Sequence, residues 1–328
     1  MDNLIRKEIR ALTRDERVGL TSAFLELKRR GEYDKYVKWH HDAMEATSLP
    51  GEPQYASFRN HAHRGPAFLP WHRWFVKMLE DELRTVGSFR DGALPYWDWT
   101  LDSENPLASP IWTADWMGGD GNPQDNDFIQ NGPFSNPQTW PVVFPLVEGR
   151  QEPLRRSFGR LASTLPNAQA LARAMARPHY SEPGHFGEQF QMGFCNYLEG
   201  WVTPNADSAL TDPGTQLHNR VHNWIGGNMA TMMSPDDPVF FLHHCFVDKV
   251  WADWQAIRGR DNYQPEEGGA LGHNLNDDMI YGPGDGDTRK RLSDVLDIAA
   301  LGYEYSSSVT PQPPVSEWEH RLKYNPYI

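Results

Sequence analysis

Six histidines in the sequence fall where they could hold two metal ions. His218 and His222 stand four apart in QLHNRVHNWIGG. Positions i and i+4 of a helix share one face, so both imidazoles can aim at one point. Further on, the Pro235-Asp236-Asp237-Pro238 step starts another helix, which carries His243 and His244. Its apolar stripe runs through Phe240, Val247, Trp251 and Trp254 at helical spacings. His244 falls on that stripe, four after Phe240 and three before Val247, whereas His243 is rotated off it. The expected arrangement is an inward-facing triad of His218, His222 and His244, with His243 packed behind it. A lone H-x-x-x-H is more often two polar residues on a solvated face. The weight therefore rests on the third histidine and on whether a second triad exists.

It does. His40 lies on the apolar face made by Tyr33, Tyr36, Val37 and Met44, three after Val37 and four before Met44. His41 is turned away from that face by about 100°. His63 sits in a loop before Pro66, and Pro70 opens a helix at its favoured early position. His72 lies in that helix's first turn, with Phe75, Val76 and Leu79 following on the same side. One helix, one loop and one helix can thus bring His40, His63 and His72 together.

Helix bundles build dinuclear metal sites from facing helices. Di-iron and di-manganese bundles use Glu and E-x-x-H motifs, which these helices do not offer. Six neutral imidazoles favour a borderline metal, and copper heads the affinity order for nitrogen sites. Without an anionic protein ligand, the charge of two metals must be balanced by what binds between them. Dioxygen taken up as peroxide suits a pair of Cu(I) ions that each give one electron. The implied chemistry is O₂ binding or activation at two copper ions.

The elements that must position these residues are mostly helical. A first helix starts at the capping box Thr13-x-x-Glu16, buries Leu20, Phe24 and Leu27, and stops at Gly31. Residues 92–145 are rich in Gly, Pro, Asn and Asp and read as loop. A short helix is expected over 167–176, between Pro166 and Pro178, and another at about 293–301. The stretch GFCNYLEGW at 193–201 carries Glu199. The fold class expected is mainly α: a single domain over 1–328 with a four-helix bundle at its centre, a core over about 12–305 and a Pro-rich tail over 306–328.

A formal net charge of −13 argues against nucleic-acid and membrane-surface partners. Thirteen Trp, twelve Tyr and fifteen Phe make the core aromatic-rich. Cys195 and Cys245 make no disulfide framework. The N-terminus has no apolar signal-peptide region, so a cytoplasmic location is expected, and no run approaches the length of a membrane span.

At this point the chain is seen to resemble the bacterial tyrosinases of the type-3 copper family. The residues that carry the resemblance are the His40 helix, HRGPAFLPWHR (63–73), LPYWDW (94–99), LEGW (198–201), LHNRVHNWIGG (217–227), DPVFFLHHCFVD (237–248) and GYEY (302–305). Together they extend over nearly the whole chain, from Leu12 to Tyr305. The resemblance implies a first copper held by His40, His63 and His72 and a second by His218, His222 and His244. It implies that Phe240 packs beside the copper pair. Glu199 and Asn219 match the pair that holds a water able to deprotonate an incoming monophenol. Met232 falls near the position gating the first copper, and Met232 and Asn223 are the residues expected to control access. The implied reaction is ortho-hydroxylation of monophenols by O₂ and oxidation of o-diphenols to o-quinones.

Departures and alternatives accompany this reading. Fungal and plant relatives join a Cys to the second ligand of the first copper; here the residue two before His63 is His61, so that thioether cannot form. A C-terminal lid domain is not expected, since the chain ends shortly after GYEY. Streptomyces relatives use a separate small helper protein for copper loading, a possible partner here beside O₂ and a phenolic, catechol or o-aminophenol substrate. An o-aminophenol oxidase or catechol oxidase without monophenol hydroxylation is the nearest alternative, and a hemocyanin-like O₂ carrier a distant one.

Overall fold

The structure, a computed structural model, describes residues 3–44, 61–143, 151–181, 193–200, 217–279 and 290–306. The tail beyond residue 306 and Trp201 of the LEGW motif lie outside the described residues. Seven α-helices are found among the described residues: α1 (Arg14–Arg29), α2 (Asp34–Met44), α3 (Phe68–Leu83), α4 (Ala168–Met175), α5 (Phe194–Glu199), α6 (His218–Ile225) and α7 (Val239–Arg258). None is long and apolar enough to cross a membrane.

Helix α1 begins at the expected capping box. Thr13 accepts from Glu16 N–H while the Glu16 carboxylate accepts from Thr13 N–H. Leu20, Phe24 and Leu27 are fully buried. Helix α3 starts at Phe68, two residues before Pro70. A proline in a first turn costs nothing there, because those N–H groups have no intrahelical partner. Asn167 caps α4 by accepting from Ala170 N–H at 2.9 Å.

Two expectations need correction. The helix expected over 293–301 is only a 3₁₀ turn, Leu292–Val295, followed by turns. And α7 does not present a single stripe: every residue from Val239 to Trp251 is buried. A helix packed on all sides loses the amphipathic signal that a stripe argument relies on.

Strands are short. β1 (Leu4–Arg6) pairs in parallel with the last strand, β6 (Tyr303–Tyr305), in the register Leu4–Tyr303 and Arg6–Tyr305. Between them lie two small antiparallel pairs, β2 (Gly121–Asn122) with β3 (Phe128–Ile129) and β4 (Val142–Val143) with β5 (Gln151–Glu152). Residues 92–143 otherwise form 3₁₀ turns and loops.

The helices that bear the site histidines form the centre: α3 packs along α7, and α6 lies against both α5 and α7. Tyr36 on α2 reaches α3, its hydroxyl donating to Met78 O at 3.0 Å. Behind the site, α3 and α7 are joined by a buried ionic hub. Asp248 on α7 receives Arg73 Nε from α3 at 2.5 Å and Arg6 Nη1 from β1 at 3.2 Å. Arg6 also forks onto Glu80 with two bonds of 3.0 Å, and the hydroxyls of Tyr303 and Tyr305 both donate to Asp248 Oδ2 at 2.6 Å. The GYEY segment, paired with β1, is thus tied to the bundle through Asp248. Where α7 begins, Asp237 pairs with Arg156 through bonds of 2.7 and 2.8 Å and accepts from Val239 N–H.

Candidate dicopper site

Two clusters of histidines face each other across the bundle. In the first, the ligand-capable nitrogens of His40, His63 and His72 lie within 4.8 Å of one another. The ring centroids are 5.2 Å apart for His40 and His63, 4.7 Å for His63 and His72, and 5.7 Å for His40 and His72. In the second, His218, His222, His243 and His244 satisfy the same limit. The clusters touch: the rings of His72 and His244 stack at 4.4 Å.

The Nδ1 atoms explain how the rings are aimed. His40 Nδ1 meets Met232 O at 2.8 Å, His72 Nδ1 meets Phe68 O at 2.8 Å, and His222 Nδ1 meets Met229 O at 2.7 Å. His218 Nδ1 meets Asn219 Oδ1 at 2.9 Å. A carbonyl oxygen only accepts, so each of these Nδ1 atoms carries the proton and each Nε2 is left with its lone pair. This is the outer-shell arrangement that fixes the tautomer of a metal-ligating histidine. The Nε2 atoms of His40 and His72 are buried without a hydrogen-bond partner.

His244 Nε2 lies 3.2 Å from His218 Nε2 and 3.4 Å from His222 Nε2. The Nε2 lone pairs of His218 and His222 are thus both aimed at His244 Nε2, and with His244 in the same tautomer the three would converge on one cation. Imidazole nitrogens disposed tetrahedrally at about 2.0–2.1 Å from a metal are about 3.3 Å apart, so the spacing fits an ion. His243 is as buried as His244, but its Nδ1 accepts from Trp99 Nε1 at 3.2 Å and its ring stacks on His218 at 5.1 Å. One of its nitrogens is thereby occupied away from the cluster.

Electrostatics agree with neutral imidazoles. Burial pushes His40 from 6.5 down to about 3 and His222 down to about 4. His63, His72, His218 and His244 lie well below the ordinary value, through burial first and then the neighbouring imidazoles. A site that disfavours protons leaves the nitrogens open to a metal. Both clusters offer imidazole nitrogen alone among the described residues. That donor set suits copper, which leads the affinity order at nitrogen sites.

The remaining candidates are placed as follows. Phe240 stacks on His244 at 4.0 Å and stands edge-on to His40 at 5.1 Å, between the clusters. Glu199 ends α5 fully buried, and its Oε1 accepts from Arg64 N–H, next to His63, at 2.7 Å. Asn219 is half-buried, with its amide oxygen on His218. Asn223 is half-buried on α6. Met232 is 39% exposed, so its side chain is not core packing; its carbonyl is what holds His40. Cys245 is a buried free thiol, pushed up by burial, and it faces the ionic hub rather than the histidines. Sequence reasoning missed Trp99 and the three carbonyls on Nδ1. Any residue supplies a carbonyl, so only the backbone path could reveal them.

Residues 30–257 match the family model for the common central domain of tyrosinase. The chain belongs to the tyrosinase family. It is 38% identical to the tyrosinase of Streptomyces antibioticus over 277 residues, 84% of this chain and 91% of that one. It is 36% identical over 271 residues to a Streptomyces griseus protein named grixazone synthase, covering 77% and 84% of the two chains. A polyphenol oxidase structure from Thermothelomyces thermophila superposes with TM-score 0.65 at 21% identity, covering 93% of this chain and 89% of that one. A functional unit of octopus hemocyanin does so with TM-score 0.55 at 21% identity, covering 98% and 72%. The likeness to both structures is one of fold. As a member of this family of type-3 copper proteins, it is a phenol-oxidising enzyme that takes two copper ions, and its two histidine clusters fit them.

Proposed function

We propose that the enzyme hydroxylates monophenols at the ortho position with O₂ and oxidises the resulting o-diphenols to o-quinones. In this reading His40, His63 and His72 hold the first copper, and His218, His222 and His244 the second. Bound copper supplies the redox chemistry with O₂. The protein's own contribution is aim, exclusion of water and proton handling. The carbonyls of Phe68, Met229 and Met232 keep Nε2 forward on three rings. Phe240, fully buried between the clusters, keeps bulk water from the space they share. Access is assigned to Met232 and Asn223.

The observation that carries hydroxylation is the buried carboxylate of Glu199, held one residue away from His63. A monophenol arrives protonated, with an unperturbed pKa near 10. A water held between Glu199 and the Asn219 amide N–H₂ would take that proton, the carboxylate acting as general base through it. A catechol needs this help less, because its second hydroxyl offers another route to the metals.

One observation favours the narrower alternative, an o-aminophenol or catechol oxidase. The Asn219 oxygen is already used by His218 Nδ1–H, which makes Asn219 an orienting residue first. The deciding experiment assays copper-loaded protein on tyrosine, a catechol and an o-aminophenol in parallel. Turnover of all three supports hydroxylation; turnover of the last two with none on tyrosine replaces it with the narrower reading. A separate copper-loading helper protein fits the similarity to Streptomyces enzymes. Full loading by copper salts alone at the rate seen in cells would remove the need for one.

A further inference from the structure

Between His63 and α3 the chain passes through four consecutive residues, each gripped by a side chain from a distant segment. Arg64 N–H donates to Glu199 Oε1 at 2.7 Å. Cys195 Sγ donates to Gly65 O at 3.6 Å. The Tyr180 hydroxyl donates to Pro66 O at 2.6 Å. Ala67 N–H donates to His273 Nδ1 at 3.3 Å.

Such a grip answers a local need. His40 and His72 ride on helices, whose own hydrogen bonds fix them. His63 stands in a run of bends, outside any helix or strand among the described residues. Its neighbour Arg64 has φ 58°, in the left-handed region, which costs a non-glycine residue roughly 1 kcal/mol or more. Strained backbone persists only where its surroundings over-determine it. Here the surroundings include the four side chains.

The His273 contact is built to close tolerance. A Cβ on Gly65 would stand 2.7 Å from His273 Cε1 and 2.8 Å from Nδ1, so the imidazole lies directly against the backbone. His273 is buried, and the Tyr263 hydroxyl donates to its carbonyl at 2.9 Å. The Tyr263 ring in turn packs on Tyr180 at 4.6 Å. Tyr180, Tyr263 and His273 therefore form one block against residues 65–67. His273 and Tyr263 also lie beyond the matched central domain, which ends at residue 257.

We propose that Tyr180 and His273 are positioning residues for the first copper, fixing His63 through the backbone of Gly65, Pro66 and Ala67 without touching the metal. The inference rests on the reading that His40, His63 and His72 hold that copper.

The test uses copper-loaded protein and follows copper release to a chelator, with total copper and the thermal midpoint of the metal-free form measured alongside. The variants are Tyr180→Phe, which keeps the ring and removes the donor, His273→Ala, and His273→Asn, whose amide oxygen can replace Nδ1 as the acceptor for Ala67 N–H. Tyr180→Phe and His273→Ala should speed release of one of the two coppers about fivefold, the size of one buried hydrogen bond, and leave the other unchanged. His273→Asn should return the rate to within about twofold of the parent. Release of both coppers accelerating together, in step with a lower thermal midpoint, overturns the proposal, as do unchanged rates. If His273→Ala fails to fold, Tyr180→Phe decides alone. A parent that retains fewer than two coppers counts against the underlying site reading instead, before any variant is compared.

Discussion

Replacing Asp248 by Asn tests whether the ionic hub behind the site holds the two copper-bearing halves together. The hub contains two guanidiniums, Arg6 and Arg73, and two carboxylates, Glu80 and Asp248, all nearly fully buried. Its formal charge is therefore balanced. Every group that reaches Asp248 is a donor: Arg6, Arg73, Tyr303 and Tyr305. A carboxamide offers one acceptor oxygen and turns an N–H₂ toward the rest, and it leaves one buried positive charge uncompensated. Breaking a buried pair from one side costs about 3–5 kcal/mol. With about 2.1 cal/mol/K of unfolding entropy per residue, this chain of 328 residues has about 0.7 kcal/mol/K. The thermal midpoint of Asp248→Asn should then fall by roughly 4–7 °C.

The same change should loosen the site. Asp248 lies one turn beyond His244 on α7, and Arg73 follows His72 on α3. Their ion pair clamps the helices whose histidines stack at 4.4 Å. The assay is calorimetry of metal-free and copper-loaded protein between pH 3 and 8. Burial pushes the Asp248 carboxyl up, but Arg73, Arg6 and the two tyrosine hydroxyls more than offset this, and its folded pKa lies below the usual value. The stabilisation is thus fully present above the unfolded pKa of about 3.9 and is lost as pH falls through the lower folded value. The gap between parent and variant should be constant from pH 5 to 8 and close only in stronger acid. A midpoint change under about 1 °C, or a gap that titrates between pH 5 and 8, would refute the reasoning.

Further outcomes follow from the site. His244→Ala should lose one copper and all activity, whereas His243→Ala should keep two coppers and lose stability by about 1–3 kcal/mol as Trp99 N–H is orphaned; copper analysis with calorimetry checks both. Asn219→Asp keeps an acceptor for His218 Nδ1–H and Asn219→Leu does not, so copper content should hold in the first and fall in the second. At full copper, a monophenol-to-diphenol rate ratio unchanged by Asn219→Asp would remove the amide N–H₂ from proton transfer. Met232→Ala should leave copper retention unchanged, because the carbonyl that meets His40 remains; a faster release to chelator would contradict this.

How much of this was legible in the sequence depends on how local each cause is. The capping box of α1 and the helix phase that puts His40 beside Tyr36 and Val37 are local, and the structure reproduces them. So is the i, i+4 pairing of His218 and His222, whose rings stand 4.5 Å apart. The choice between His243 and His244 is less local than its argument assumed. An apolar stripe cannot separate two residues on a helix buried on every side. Their surroundings differ through Trp99, which donates to His243 from 144 positions away, and through the Nε2 atoms of His218 and His222, which lie beside His244. The helix expected over 293–301 failed for a related reason. Leu292, Val295 and Leu296 are buried, but the carbonyls of Val295 and Leu296 accept from Arg73 of the hub, which takes up acceptors that a continuing helix would use. Met232 shows the limit most plainly. Its side chain suggested a gate, while its backbone sets the tautomer of His40. Donor identity is written in residue type and period, but donor aim is written in carbonyls, which every residue carries. A metal site of this kind is therefore readable in its ligands well before it is readable in what makes them ligands.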